Sequence, residues 1–294
     1  MKLVFFQDSR VGGRAYNQDR SAFAYTAEAV LLVVADGMGG HLQGEVAAQI
    51  ACDVLAECFR RQAQPTVDYP NRFLVNAVGA AHQAILDHAI DHHLPEIPST
   101  TVVVALLQKG MLYWCHVGDS RLYLIDQDGV RLRSRDHSQV QRMIEQGLLT
   151  EETARVHPDR NKIYNCLGAA PEPDIDIGER QPLAPGQTVL LCSDGLWGHI
   201  HDAEWDKVFA AGRTVGVVLP ALMTIAERRG GAGGDNLTAL GVTLLPDTVE
   251  LAERADLIDT ASAATGRRPS EPGCEHNLAI AHREILASQL PPRA

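Results

Sequence analysis

Four aspartates stand where apolar stretches of the chain meet glycine-rich or polar segments. Asp36 follows the run LLVVA, Asp119 follows YWCHVG, Asp194 follows VLLCS, and Asp235 lies between RRGGAGG and NLTALGVTLL. Loops at the ends of strands on a rigid sheet are where binding and catalytic residues are commonly placed. Several carboxylates converging there would repel one another unless a cation lay among them. The pattern therefore predicts a site for hard divalent ions such as Mg²⁺ or Mn²⁺.

Taken singly, each of these acids has a simpler interpretation. Asp-Gly is a common turn pair, so ADG around Asp36 and SDG around Asp194 are typical of turns. GDS around Asp119 is compatible with the bend of a hairpin. For any one position the turn is the better interpretation, and the metal-site hypothesis depends on all four acids meeting in the fold.

Residues close to these acids add two further chemical functions. Gly37 has no Cβ, so its backbone carbonyl could turn towards a metal. Arg14, in the stretch GGRAYNQD, has the planar fork that suits two phosphate oxygens, and Asp19 follows five residues later. Without the other motifs, an exposed arginine in a surface ion pair would be the preferred interpretation of Arg14.

The elements that must position these residues are predicted to be short strands and a few helices. Ala-rich stretches with apolar residues at helical spacing, 44–61 and 72–90, predict a helix pair. The stretches 138–149 and 214–229 are also predicted to be helical, and Pro220 is expected to start, kink or shorten the second. Hairpins on either side of a long helical pair favour an α+β layered architecture over a βαβ repeat. The predicted strands are 3–6, 29–35, 101–107, 111–117, 121–125, 188–193 and 237–245.

Composition and charge disfavour several classes of protein. The chain has 294 residues, 45% of them hydrophobic, which suits one large domain or one domain with an appendage. No membrane span or signal peptide is predicted, so a cytoplasmic protein is expected. A net charge of -11 with scattered basic residues disfavours nucleic acid as a partner. None of the six cysteines forms a C-x-x-C pair, which favours buried reduced thiols over zinc or disulfides.

The character of the chain changes near residue 246. A polar segment (263–274) and a predicted final helix (275–289) follow. The sequence therefore predicts a domain over 1–245 and a C-terminal extension over 246–294, which is either a docked cap or a loosely tethered arm.

Eight sequence blocks occur in order over roughly residues 3–245: RAYNQD, VVADGMGGHLQGE, STT, VGDSRLYLI, RDHS, RNKIYNCLG, LLCSDGLWGHI and GGDNLTAL. In their order and approximate spacing they resemble the metal-dependent protein serine/threonine phosphatases of the PP2C, or PPM, family in their compact bacterial form. Each block is weak alone, whereas the ordered set is specific. The resemblance implies an α+β fold, a β-sandwich of two antiparallel sheets flanked by helix pairs (α/β/β/α), with a metal centre at one end.

The resemblance also implies a role for each candidate metal ligand. Asp36 would bridge two metal ions, and Gly37 would offer its carbonyl to one of them. Asp194 and Asp235 would hold the other ion, and Asp119 would bind a third, weaker one. Catalysis is expected to depend on Asp36, Asp194 and Asp235.

Other residues are implied to support these ligands or to bind the substrate. Arg14 would bind the substrate phosphate. Asn236 would orient Asp235, and Asp19 would stabilise the metal ligands without contacting a metal itself. One position departs from the family pattern, because Gln18 stands where a glutamate usually precedes the aspartate. Weaker metal affinity or altered activity is expected from this neutral side chain.

Two further features of the family have counterparts here. Eukaryotic members often carry a histidine after Asp-Gly that protonates the leaving group, but this chain has Met38 there. The nearby His41 is as well explained as a structural histidine. Segment 135–168 matches the family's flap beside the metal site, in which Gly147 is either a hinge or a helix C-cap.

The function implied is hydrolysis of phosphoserine and phosphothreonine in proteins by a water activated between two divalent ions, Mn²⁺ or Mg²⁺. A monomeric signalling enzyme is expected, with a phosphorylated protein substrate, a bacterial serine/threonine kinase or its target, and no nucleic-acid or membrane partner. Gln18 keeps an alternative open, namely a weak or silent relative that binds phosphoproteins or regulates a complex. The intact acids favour the enzyme.

Overall fold

The chain folds mainly through antiparallel strand pairing. The computed structural model describes residues 2–39, 43–210 and 212–246, and every strand pair within these ranges is antiparallel. The strands are β1 (Lys2–Arg10), β2 (Asp19–Tyr25), β3 (Ala29–Met38), β4 (Ser99–Thr100), β5 (Val102–Gln108), β6 (Met111–Val117), β7 (Arg121–Asp126), β8 (Gly129–Arg133), β9 (Asp176–Ile177), β10 (Gln181–Pro182), β11 (Thr188–Cys192) and β12 (Leu237–Leu245).

These strands form two sheets that pack face to face. One has the order β1-β12-β11-β7-β8, and the other has the order β10-β6-β5-β3-β2, with β4 beside β3 and β9 beside β6. Apolar side chains from both sheets fill the layer between them, including Leu32 and Val103 from one sheet and Leu122 and Leu240 from the other. The predicted sandwich of antiparallel sheets is confirmed.

Helices cover the outer face of each sheet. The first two pack on the larger sheet through small side chains such as Ala47 and Ala51, which lie in one buried cluster with Leu31 and Val104. The last three pack on the smaller sheet around Trp205. The layer order is therefore α/β/β/α, as the resemblance implied. The helices are α1 (Gly44–Gln62), α2 (Pro70–Asp91), α3 (Gln139–Glu145), α4 (Glu151–Arg155), α5 (Asp194–Trp197), α6 (Asp202–Phe209) and α7 (Val215–Gly230).

Some elements differ from their predictions. Pro220 lies inside α7, which neither starts nor ends at this residue. Strands β2 and β8 were not predicted, because most of their residues are only half buried and give no clear apolar run. Among the described residues, Cys52, Cys115 and Cys192 are buried and unpaired, as predicted. Burial raises the pKa of the Cys115 thiol to about 12.

Several predictions fall outside the described residues. The polar segment 263–274, the final helix 275–289 and the position of His41 are among them, and the domain boundary at residue 245 stays a prediction. Among the helices that the structure does describe, none has both the length and the apolar character needed to cross a membrane.

Candidate active site

Asp36 lies within a strand and not in a turn, because β3 continues through Gly37 to Met38. Its backbone N–H donates to Thr101 Oγ1 at 3.1 Å, and its carbonyl oxygen accepts from the Thr101 N–H and from the Thr100 hydroxyl, both at 2.9 Å. The turn interpretation of ADG is therefore wrong. These contacts fix the backbone that carries the Asp36 carboxyl.

Gly37 packs closely against the start of α1. A Cβ at this position would overlap the Gly44 carbonyl oxygen and lie 2.7 Å from the Gln18 carbonyl oxygen. The Gly37 N–H donates to that same Gln18 oxygen at 3.2 Å. The lack of a side chain is thus required by the packing of β2, β3 and α1, independently of any metal.

Asp19 is the cross-strand partner of Asp36 and is 2% exposed. Its Oδ2 accepts a hydrogen bond from the Ser193 hydroxyl at 2.6 Å, and that hydroxyl in turn accepts the Thr238 N–H at 2.9 Å. Its Oδ1 is buried without a hydrogen-bond partner among the described residues. Burial raises the pKa of Asp19 to about 6.

Asp194 opens helix α5 and faces the other acids. Its Oδ1 is buried and finds no hydrogen-bond partner in the described part of the chain. Burial, followed by the negative charges of Asp119, Asp235 and Asp19, holds its pKa well above the ordinary value. The pKa of Asp36 is likewise raised, first by burial and then by Asp19, Asp194, Asp119 and Asp235. The structure thus brings the four predicted acids and Asp19 together.

Asp119 lies in the connection between β6 and β7 and is 5% exposed. Its backbone carbonyl accepts the indole N–H of Trp197 at 2.9 Å. Burial and the charge of Asp136 raise the pKa of the Asp119 carboxyl to about 7. The negative charge of the Asp119 carboxylate is therefore, like those of the other acids, not fully compensated by nearby groups.

Arg14 makes a bidentate ion pair with Asp235. Its Nε donates to Oδ1 at 2.9 Å and its Nη2 donates to Oδ2 at 2.6 Å. The arginine side chain is 57% exposed and the aspartate side chain 31% exposed. The structure thus shows the ion pair that was the simpler interpretation of Arg14, and it places that pair at the edge of the acidic cluster.

Asn236 supports Asp235 mainly through its backbone. Its N–H donates to Asp235 Oδ1 at 2.9 Å. Its side chain accepts the Gln18 N–H at 2.8 Å and donates to the carbonyls of Val11 and Tyr16 at 2.8 and 3.1 Å. The amide therefore orders the loop between β1 and β2, which carries Arg14.

Three residues that the sequence analysis did not assign connect the acids to the flap. Arg121 makes a buried bidentate pair with Asp136, at 2.8 and 2.7 Å, and its guanidinium lies 3.5 Å from the ring centroid of Trp197. Trp197 follows Asp194 in α5 and also donates to Asp119. This cluster fixes α5 against the loop after β6. The only sequence signal was the presence of Arg121 and Asp136 in the blocks VGDSRLYLI and RDHS.

A cavity of about 190 Å³ opens beside the acids. Asp194, Asp235 and Arg14 lie on one side of it. The other side is formed by the flap segment, which includes α3 and α4. The flap residues lining it are Asp136, Val140, Gln141, Ile144, Glu151, Ala154, Arg155, Arg160 and Asn161.

A separate group of candidate metal ligands combines His116, His137 and Asp176, whose donor atoms all lie within 4.8 Å of one another. His137 Nδ1 accepts the Gly118 N–H at 3.1 Å and lies 2.8 Å from the amide nitrogen of Asn165. Because Nδ1 accepts, the proton of the neutral ring is on Nε2. His137 therefore offers no free lone pair, and we place no metal at this group.

The family of the chain follows from comparison with known proteins. The model of the protein phosphatase 2C family matches residues 7–217, and the chain belongs to this family. The serine/threonine phosphatase Stp of Listeria innocua is 30% identical over 237 residues, which are 80% of this chain and 93% of the relative.

Solved structures show the same similarity. The serine/threonine phosphatase PstP/Ppp of Mycobacterium tuberculosis is 30% identical, with a TM-score of 0.71, over 83% of this chain and 99% of that one. The catalytic domain of a phosphatase PstP in complex with two manganese ions is 28% identical, with a TM-score of 0.68, over 83% and 99% of the two chains.

The acidic cluster of this chain fits divalent cations. Asp19, Asp36, Asp119 and Asp194 all have raised pKa values, chiefly because of burial. Carboxylate oxygens are the donors that hard divalent ions prefer, and buried carboxylates need such compensation to stay ionised at neutral pH. The donor set therefore agrees with the use of divalent metal by this family.

Proposed function

We propose that the acidic cluster is the active centre at which this chain hydrolyses phosphoserine and phosphothreonine in proteins. As a member of the PP2C family, the chain is a protein serine/threonine phosphatase. The observation that supports this centre is the convergence of buried, uncompensated carboxyls on Asp36, next to a cavity that Asp194 and Asp235 line.

Asp36, Asp119, Asp194 and Asp235 would hold the metal ions, with Gly37 offering its carbonyl. Bound divalent ions would supply an acidified water and offset negative charge on the phosphoryl oxygens. The relative with two manganese ions supports two sites for Mn²⁺, or for Mg²⁺, which also prefers oxygen ligands. A third, weaker ion would bind at Asp119. Asp19 and Ser193 would keep Asp36 in place through the hydrogen bonds described above.

Arg14 would bind the phosphate of the substrate. Its ion pair with Asp235 leaves the guanidinium exposed at the edge of the cluster. With Asp235 holding a cation, the planar fork of Arg14 would be free to bind two phosphoryl oxygens.

The proposal extends to the setting of the enzyme. A monomeric, cytoplasmic phosphatase that opposes a bacterial serine/threonine kinase in signalling would fit the bacterial relatives. Its substrate would be a phosphorylated kinase or a kinase target.

The test is hydrolysis of a phosphothreonine peptide across a Mn²⁺ titration. We expect metal-dependent turnover in the wild type. Asp36→Asn should lower the hydrolytic activity by more than the about 10–100-fold that is typical when a residue hydrogen-bonded to a metal ligand is replaced. Asp68→Asn, an exposed aspartate on another part of the surface, is the matched control and should keep full activity.

Absence of turnover in the wild type at every metal concentration would contradict the proposal. Binding of the phosphopeptide without hydrolysis would then identify the silent, phosphoprotein-binding alternative. Calorimetric titration with the peptide would distinguish the two results.

A further inference from the structure

The flap side of the cavity carries positive charge close to the acidic cluster. Arg155 and Arg160 both line the cavity that Asp194 and Asp235 border. Arg160 opens the block RNKIYNCLG, one of the eight blocks that resemble the family. The cavity therefore has a metal-binding wall and a second wall with guanidinium groups.

Most charged groups around this cavity are already paired. Arg14 pairs with Asp235, and Arg121 pairs with Asp136. Glu151, on the flap, accepts from Arg133 at 2.7 Å. These pairs leave little of their charge available for a ligand.

Arg160 differs from these residues. Its side chain is exposed, and within the described ranges no hydrogen bond or ion pair engages it. Its positive charge reaches the cavity. The pKa of His199, another lining residue, is lowered first by burial and then by the positive charges of Arg229 and Arg160. Lys162, two residues further on, pairs with Asp159 at 2.8 Å and does not line the cavity.

A phosphorylated residue bound at the acidic cluster would place its sequence neighbours along this cavity. An unpaired guanidinium there would favour an anionic neighbour, because its fork bonds carboxylate or phosphate oxygens in two places. A neutral or basic neighbour would gain nothing from this wall, and a basic one would be repelled.

We propose that Arg160 is a specificity-determining residue, which selects phosphoproteins carrying an anionic side chain close in sequence to the hydrolysed phosphoresidue. This inference rests on the proposed phosphatase function. The ligand chemistry is a carboxylate or a second phosphate, and the experiment separates these two sources.

The test uses a set of phosphothreonine peptides with otherwise neutral sequences. Glutamate is introduced at one position at a time, from four residues before to four residues after the phosphothreonine. A parallel set carries a non-hydrolysable phosphonate analogue of phosphoserine. The value of kcat/KM is measured with Mn²⁺ for the wild type, Arg160→Ala, Arg160→Lys and the control Lys162→Ala.

We expect the anionic residue to raise kcat/KM of the wild type about 3- to 5-fold at a few adjacent positions, the range of an exposed ion pair. Arg160→Ala should abolish this preference, Arg160→Lys should keep part of it, and Lys162→Ala should keep all of it. High salt should weaken it, because exposed charge pairs are screened. A larger effect of the phosphonate than of glutamate would identify multiply phosphorylated proteins as the preferred substrates.

The outcomes separate this inference from the function on which it rests. Equal hydrolysis of all peptides, or a preference that persists in Arg160→Ala, would overturn the role of Arg160 alone. No hydrolysis of any peptide, including the neutral one, would contradict the phosphatase function and the inference with it.

Discussion

The side-chain amide of Gln18 lies between the end of strand β3 and the start of helix α1, at the edge of the acidic cluster. Its Nε2 donates to the Gly39 carbonyl at 3.0 Å and lies 3.5 Å from Glu45 Oε2. A glutamate here would place a carboxylate against a carbonyl oxygen and a second carboxylate. The amide is therefore the group that its immediate surroundings favour.

We predict that Gln18→Glu lowers the free energy of unfolding of the metal-free protein by about 1–2 kcal/mol, because a hydrogen bond is replaced by repulsion. Contrary to the weaker metal affinity that the family pattern implied for a glutamine here, Gln18→Glu should not strengthen Mn²⁺ binding, because the side chain at this position is directed at Gly39 and Glu45. Urea unfolding and calorimetric metal titration measure the two quantities.

The exchanged variant, Gln18→Glu with Glu45→Gln, is the control. It should recover the part of the loss that comes from the two carboxylates. Tighter Mn²⁺ binding by Gln18→Glu would instead show that a carboxylate at this position serves the metal.

Which single residues could be predicted from the sequence depended on how local their signal was. Asp36, Asp119, Asp194 and Asp235 each adjoin an apolar run, and their positions were therefore visible. Ser193 was not assigned, because its contact with Asp19 spans 174 residues and needs the sheet register to appear. The pairing of Arg14 with Asp235, across 221 residues, could not be predicted for the same reason.

At the scale of elements, a glycine two residues after the end of helix α3 has the left-handed geometry that commonly terminates helices. Gly147 has a φ of +73°, and its N–H donates to the Ile144 carbonyl at 2.9 Å. This left-handed conformation suits glycine and is unfavourable for other residues. The C-cap interpretation of Gly147 accounts for the residue without a hinge.

We predict opposite effects of the same substitution at two glycines. Gly147→Ala should lower the free energy of unfolding by about 1 kcal/mol because of its positive φ. Gly79→Ala, inside α2, should raise it by about 0.5–1 kcal/mol, because alanine is the better helix former. A Cβ meets no atom within 4 Å at either position, so packing is matched. Urea unfolding measures both.

Phosphatase kinetics provide the second measurement for this pair. A C-cap role predicts an unchanged kcat in Gly147→Ala at temperatures well below its unfolding transition. A large loss of kcat with unchanged stability would favour the hinge.

The predictability of the elements follows their burial. Helices α1 and α2 were predicted to within two residues at each end, because one face of each is apolar over many turns. Helix α5 is only four residues long and carries no periodic pattern, so it was not predicted. Strand β3 runs three residues past its predicted end, because its pairing with β4 is not visible in the apolar run.

For the whole molecule, the acidic cluster makes stability depend on pH and on metal. The pKa values of Asp19 (about 6) and Asp119 (about 7) lie above the ordinary 3.8 of a free carboxyl. At a pH between 3.8 and about 6 to 7, these two carboxyls have lost their protons in the unfolded chain but still bind them in the folded protein. The free energy of unfolding therefore falls as the pH rises through this window.

We predict that the melting temperature of the metal-free protein falls by several degrees between pH 5 and pH 7.5. A loss of about 1 kcal/mol in the free energy of unfolding lowers the melting temperature of a domain of this size by roughly 2–4 °C. Saturating Mn²⁺ should raise it more at pH 7.5 than at pH 5, because cations replace protons on the carboxyls. Thermal unfolding followed by calorimetry measures both.

Asp19→Asn removes one of the titrating groups and should flatten the metal-free profile. A metal-free melting temperature that stays constant or rises from pH 5 to pH 7.5 would contradict uncompensated burial of these carboxyls.

Strands β1 and β12 pair along their whole length, from Lys2 opposite Leu245 to Arg10 opposite Leu237. At roughly 3.3 Å per residue, residues 2 and 245 lie about 25 Å along the strands from the end that leads to the acids. In a chain cut back to residues 2–245, a short linker between these two residues would allow circular permutation, with new termini in the two-residue turn 127–128 between β7 and β8. Such a rearranged phosphatase would retain the strand order around Asp36 and could accept a reporter domain in that turn.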